Sequence, residues 1–234
     1  MSGAMTPSGL TAAPAEPYLP AVAAEPGRPT GGQEALDVLL AGNRRFAAGQ
    51  PRYGHLHTPA GRAAVQRPYA LVLGCLDSRA VPEAIFDLDF GDVMVVRTGG
   101  HVLDSAVLGS IDFAVTTMQV PLLLVLGHQY CGAIAVTVST LRTGVRPDGP
   151  IAYLADEIAP SVGELAERAN SATAGLTSGV SNDIVDEVVR RHLAATVDRL
   201  RALAPVQRRI ESGTLAVVGA HYDVDTGQID QVLQ

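Results

Sequence analysis

Apolar residues follow two different rhythms along this chain. From Gln33 they recur at helical spacing, with Leu36, Leu39, Leu40 and Phe46 on one face, and the pattern stops near Gly49-Gln50-Pro51. Tyr69 to Gly74 and Val93 to Val96 are instead short continuous apolar runs without polar alternation, which predicts strands of a parallel sheet covered on both faces. Asp104 or Ser105 can cap a helix carrying Val107, Leu108, Ile111, Phe113, Ala114 and Val115, which stops before Pro121. Leu122 to Leu126 is the most apolar strand, and a Gly-Ala step after Cys131 enters the next helix. Interrupted helical patterns surround Ile151 to Ala169. Ser181 or Asn182 then caps a long helix with the stripe Ile184, Val185, Val188, Val189, Leu193, Val197 and Leu200. Leu215 to Gly219 reads as a strand, and Asp225-Thr226-Gly227 turns the chain so that Gln228 to Val232 pairs back along an edge. The alternation predicts the α/β class: a single domain with a mainly parallel central sheet flanked by helices and an edge hairpin at the C-terminus.

Composition narrows what such a domain can do. The 234 residues, 47% hydrophobic, suffice for one substantial core. Residues 1–32 hold six of the fifteen prolines and show no period, which predicts a disordered Pro/Ala-rich tail ahead of a domain spanning 33–234. A net charge of −7 argues against nucleic acid and anionic membranes as partners. All 17 cationic side chains are arginine, so lysine Schiff bases, pyridoxal phosphate and P-loop chemistry are excluded. With no basic-then-apolar leader and no apolar run of about 18 residues, the sequence reads as a soluble cytoplasmic protein.

The chemistry concentrates on the two cysteines. Cys75 ends the run YALVLGC and is followed by Asp77 and Arg79, whereas Cys131 follows PLLLVLG with His128 three residues before it. Two cysteines do not make a disulfide framework. Thiolate, imidazole and thiolate are ligands that Zn²⁺ prefers, and two parallel strands ending side by side would bring them together. Three protein ligands leave one position open, as in a catalytic site. Asp77 is the candidate fourth ligand of a closed state. Arg79 can hold that carboxylate in a bidentate pair, keeping it ionised and turned towards substrate chemistry instead.

Cys75-x-Asp77-Ser78-Arg79 followed by His128-x-x-Cys131-Gly132, with VVRTGGHVLDSAVLGSIDFAV between them and LAVVGAHY later, resembles the β-class carbonic anhydrases from about Leu36 to Tyr222. The resemblance implies reversible hydration of CO2 to bicarbonate and a proton by a zinc-bound hydroxide. Cys75, His128 and Cys131 would be the ligands of one Zn²⁺ per subunit, and Asp77 and Arg79 the catalytic dyad. It implies a homodimer or a tetramer with sites near the subunit interface. It also assigns Gln66 and Gly132 to substrate contact, and Met94 and Phe113 to the pocket wall, with Phe113 coming from the neighbouring subunit. No tryptophan is present for the regulatory bicarbonate site of some members.

Two other readings use the same residues: a hydrolase of carbonyl sulfide or carbon disulfide, and a non-catalytic zinc or thiol-redox regulator. The Asp77-Arg79 pair speaks against the second, which has no need of it. Among the remaining histidines, His55 and His57 read as solvated loop residues, His101 as a positioned loop residue, His192 as a packing or interface residue, and His221 as part of a strand. The charges from Asp183 to Arg209 read as a solvated helix face.

Overall fold

Five strands form one sheet in the order β2-β1-β3-β4-β5, where β1 is Ala70–Cys75, β2 Val93–Thr98, β3 Leu122–His128, β4 Ala216–Tyr222 and β5 Ile229–Leu233. The computed structural model describes residues 28–52, 66–165 and 180–233. Strands β1 to β4 run parallel, and β5 returns antiparallel along β4. The mainly parallel sheet and the C-terminal edge hairpin expected from the apolar pattern are both present. Seven α-helices among the described residues flank the sheet: α1 Gly32–Ala47, α2 Pro82–Ile85, α3 Ser105–Asp112, α4 Gly132–Thr143, α5 Ile151–Val162, α6 Asn182–Arg201 and α7 Ala204–Glu211. None of them is long and apolar enough to cross a membrane.

Strand residues alternate between faces, and the core divides accordingly. Leu71, Leu73, Leu123 and Val125 pack with Val107 and Ile111 of α3, Leu193, Val197 and Leu200 of α6, and Val206 of α7. Val72, Leu122, Leu124 and Leu126 pack on the other face with Leu36 and Leu39 of α1, Ile85 of α2 and Phe86. Each such fully buried Leu or Ile contributes roughly 2 kcal/mol of transfer free energy. A third cluster, formed by α4, α5 and α6, closes around Cys75 and Cys131. Helix α1 approaches α2 so closely that a Cβ at Gly42 would fall 1.7 Å from the Phe86 carbonyl oxygen.

The helix boundaries have local causes. Asp104 caps α3 by accepting from the Val107 amide at 2.8 Å, and Ser181 caps α6 by accepting from the Asp183 amide at 3.2 Å. Helix α3 runs on into a π-helical turn, Phe113–Thr117, and α5 carries Pro160 within it, which accounts for its interrupted pattern.

Two expectations need correction. Strand β2 is only partly buried along its whole length, because it forms the edge of the sheet and has a strand on one side alone. The stretch from Asp183 to Arg209 is more than a solvated face. Arg209 donates to the carbonyls of Val115, Val120 and Thr214 at 2.8, 3.0 and 2.7 Å, and Arg201 donates to that of Val217 at 2.7 Å. Residues 1–27 of the expected tail, and both His55 and His57, lie outside the described residues. At the end of that tail segment, Arg28 donates to the Arg67 carbonyl at 2.7 Å and the Gly91 carbonyl at 2.9 Å.

Candidate metal centre

The strand order reverses at β1: the chain goes first to β2 on one side and then crosses to β3 on the other. Open α/β sheets bind ligands at such a reversal, outside the carboxyl ends of the strands. Cys75 is the last residue of β1 and His128 the last of β3, and the register Gly74↔Leu126 brings both strands to that edge. A two-residue turn, with Tyr130 in the left-handed region at φ 59, returns the chain so that Cys131 becomes the N-cap of α4.

The donor atoms of Cys75, His128 and Cys131 consequently all lie within 4.8 Å of one another, and all three residues are buried. The sulfurs are 3.9 Å apart, and both cysteines are free. Nδ1 of His128 lies 2.8 Å from the Gln129 carbonyl oxygen. A carbonyl only accepts, so Nδ1 carries the proton and Nε2 holds the lone pair. That Nε2 is buried with no hydrogen-bond partner among the described residues. A buried acceptor without a partner is unfavourable, and a lone pair converging with two thiols is the donor set that suits Zn²⁺.

The electrostatics favour a thiolate. The hydrogen bond shared with Cys131 lowers the Cys75 thiol to about 4 against the opposing effect of burial, and the Gly100 amide adds to the lowering. The same shared bond and burial push the Cys131 thiol up. One proton leaves the pair readily and the second is retained, so a divalent cation would be needed to hold both as thiolates.

Beside the sulfurs, Asp77 is gripped by Arg79. Nε donates to Oδ1 at 3.0 Å, Nη2 donates to Oδ2 at 2.7 Å, and the Arg79 amide adds a bond to Oδ1 at 2.9 Å. The Arg79 hydrogen bond holds the Asp77 carboxyl down at about 2, outweighing burial. Asp77 is therefore ionised at neutral pH and can only accept. It does not belong to the group of donors that converge within 4.8 Å.

Sequence reasoning passed over Arg97. From β2 its Nε donates to the Cys75 carbonyl at 2.8 Å and its Nη2 to the Asp77 carbonyl at 2.6 Å, fixing the loop that carries the Cys75 thiol and the Asp77 carboxylate together. The signal was a lone charge inside the apolar run VMVVRT. Tyr130 was passed over too: its hydroxyl donates to Asp225 at 2.5 Å, tying the turn before Cys131 to the β4-β5 hairpin.

The other expected site residues are placed differently. Gly132 follows Cys131 directly, with open space where a side chain would stand. Gln66 is exposed and precedes β1, at the opposite end of that strand from Cys75. Met94 and Phe113 both line a groove of about 470 Å³ between β2 and α3, which the three converging donors do not line.

The family model described as carbonic anhydrase matches residues 70–229. Carbonic anhydrase 2 of Mycobacterium tuberculosis is 43% identical over 197 residues, covering 83% of this chain and 89% of that protein. The carbonic anhydrase of Mycolicibacterium smegmatis is 39% identical over 199 residues, covering 84% and 91%. Among solved structures, the Coccomyxa β-carbonic anhydrase in complex with acetazolamide superposes with a TM-score of 0.62 at 24% identity, covering 85% of this chain and 87% of that one. One of two tetrameric β-carbonic anhydrases of Sordaria macrospora superposes at 0.65 with 22% identity, covering 85% and 98%, a likeness of fold. With a family match across the sheet that builds the donor cluster, and close relatives along most of its length, the chain belongs to the β-carbonic anhydrases, a family of enzymes.

Proposed function

We propose that this enzyme catalyses the reversible hydration of CO2 to bicarbonate and a proton, using one Zn²⁺ per subunit held by Cys75, His128 and Cys131. The observation that carries the reading is the convergence of those three donors beside a carboxylate kept ionised by Arg79. Zinc bound there would supply Lewis acidity, which makes water nucleophilic near neutral pH. Asp77, able only to accept, would take a hydrogen bond from the attacking water and so aim its oxygen at the substrate carbon. Arg79 fixes the direction of that carboxylate, and Arg97 fixes the backbone beneath it. Gly132, without a side chain, leaves room for a small substrate beside Cys131.

The working form in this reading is a homodimer or a tetramer of such dimers. The partly buried edge strand β2 and the groove lined by Met94 and Phe113 support an interface there, which would bring Phe113 to a neighbour's site. The free thiols suit a reducing compartment, and we assign the enzyme to the cytoplasm.

Stopped-flow CO2 hydration on protein of known metal content tests the proposal. Turnover should track zinc, and Asp77→Asn should keep the metal while losing about 100-fold or more in rate. A fully zinc-loaded protein without CO2 hydration would refute it, and carbonyl sulfide offered to the same sample would identify the related hydrolase.

A further inference from the structure

The sulfur of Cys75 accepts a hydrogen bond from the Gly100 amide at 3.4 Å. The turn that presents this amide is unusual, because Gly100 and His101 both lie in the left-handed region, at φ 63 and 46. Glycine adopts that conformation freely, and a Cβ at 100 would come within 2.9 Å of Ile158 Cδ1. Histidine at 101 is strained there, so the turn needs an outside support.

His192 of α6 supplies one. Its Nε2 lies 3.0 Å from the Gly100 carbonyl oxygen, and its ring stacks on that of His101 with centroids 4.7 Å apart and planes 18° from parallel. Because the carbonyl only accepts, Nε2 carries the proton. Nδ1 is then the acceptor for the Ser161 hydroxyl of α5, 2.9 Å away. Burial lowers His192 to about 4, so this neutral form persists at neutral pH.

We propose that His192 is a positioning residue for the metal centre: it holds the turn that delivers the Gly100 N–H to the Cys75 sulfur, and Ser161 sets the tautomer with which it does so. The proposal rests on the reading of Cys75 as a metal ligand. An N–H donated to a thiolate draws electron density from sulfur and fixes the direction of its remaining lone pairs. Partners of this kind orient the ligand and tune the metal it binds.

The test uses the full chain loaded with Co²⁺, reading the sulfur-to-cobalt charge-transfer band and the metal affinity in competition with a chromophoric chelator. His192→Phe keeps a ring against His101 but has no donor. It should move the band to longer wavelength and weaken metal binding about 10- to 100-fold. His192→Gln, which returns an N–H at similar reach, should restore both towards wild type, a rescue that a purely structural role would not produce. Ser161→Ala should shift the band in the same direction by less. Ser161 and His192 both border an open pocket, so that variant leaves no sealed void, and it carries the test if His192→Phe does not fold. Folded His192→Phe or Ser161→Ala protein with the wild-type band and affinity would overturn the proposal, as would a Gln variant shifted as far as the Phe variant. Failure of the underlying reading has a different signature: Cys75→Ser would retain the wild-type band.

Discussion

Arg97 donates from Nη2 to the backbone carbonyl of Asp77 at 2.6 Å, so two arginines hold one aspartate, Arg97 by its main chain and Arg79 by its carboxylate. With Nε on the Cys75 carbonyl, the guanidinium of Arg97 spans both residues. Lysine keeps the charge but has no fork to span them. Arg97→Lys is expected to reduce CO2 hydration about 10- to 100-fold through misplacement of the dyad, with zinc content near one per chain. Wild-type turnover in that variant would show that β2 is not needed to set the loop.

Acid is expected to destabilise the fold in two windows. Burial lowers His192 from 6.5 to about 4, so between those values the unfolded chain takes up a proton that the folded chain refuses. Stability therefore falls as pH drops from 6.5 towards 4, by roughly 3 kcal/mol, and this contribution is flat below that. Asp77, lowered from 3.8 to about 2 chiefly by Arg79, acts further down. Its pairing contributes fully above the unfolded value and is lost as pH falls through about 2. Urea unfolding across pH 7 to 3 should show a shallower upper window in His192→Gln, and an unchanged slope would contradict the assignment.

The two sulfurs stand 3.9 Å apart, whereas a disulfide needs about 2.05 Å. Side-chain rotation covers much of that difference once nothing lies between them. Chelator-stripped protein should therefore crosslink Cys75 to Cys131 under a mild oxidant, and loaded protein should resist. Non-reducing peptide mapping reads the outcome, and equal crosslinking of both forms would argue against a shared metal.

Phe113 is exposed beside Met94 on the groove at β2. Phe113→Glu would place a charge in any contact made there. Size-exclusion chromatography with light scattering should find smaller species than wild type and a matching loss of activity. An unchanged assembly would move the interface elsewhere.

Much of this was legible in the sequence because the chemistry is local. Cys75, Asp77 and Arg79 sit within five residues, and His128 and Cys131 within four, each group at the end of an unmistakable apolar run. The caps at Asp104 and Ser181 were readable for the same reason. What escaped depends on partners distant in the chain. Arg97 acts on carbonyls 20 and 22 residues away, and His192 on a carbonyl 92 residues away. The partly buried state of β2 was not readable either, since Val93 to Val96 is as apolar a run as those of the central strands.

The parallel register of β1 against β3 also decides when the site comes into being. Cys75 and Cys131 are 56 residues apart, with β2 and α3 between them, and no short segment of the chain contains a usable donor set. Long-range parallel pairing is a slow step of folding, because its loop must close before its contacts form. An ion held by these donors would find its full set only once β1 and β3 have paired, so it would finish the architecture and not nucleate it.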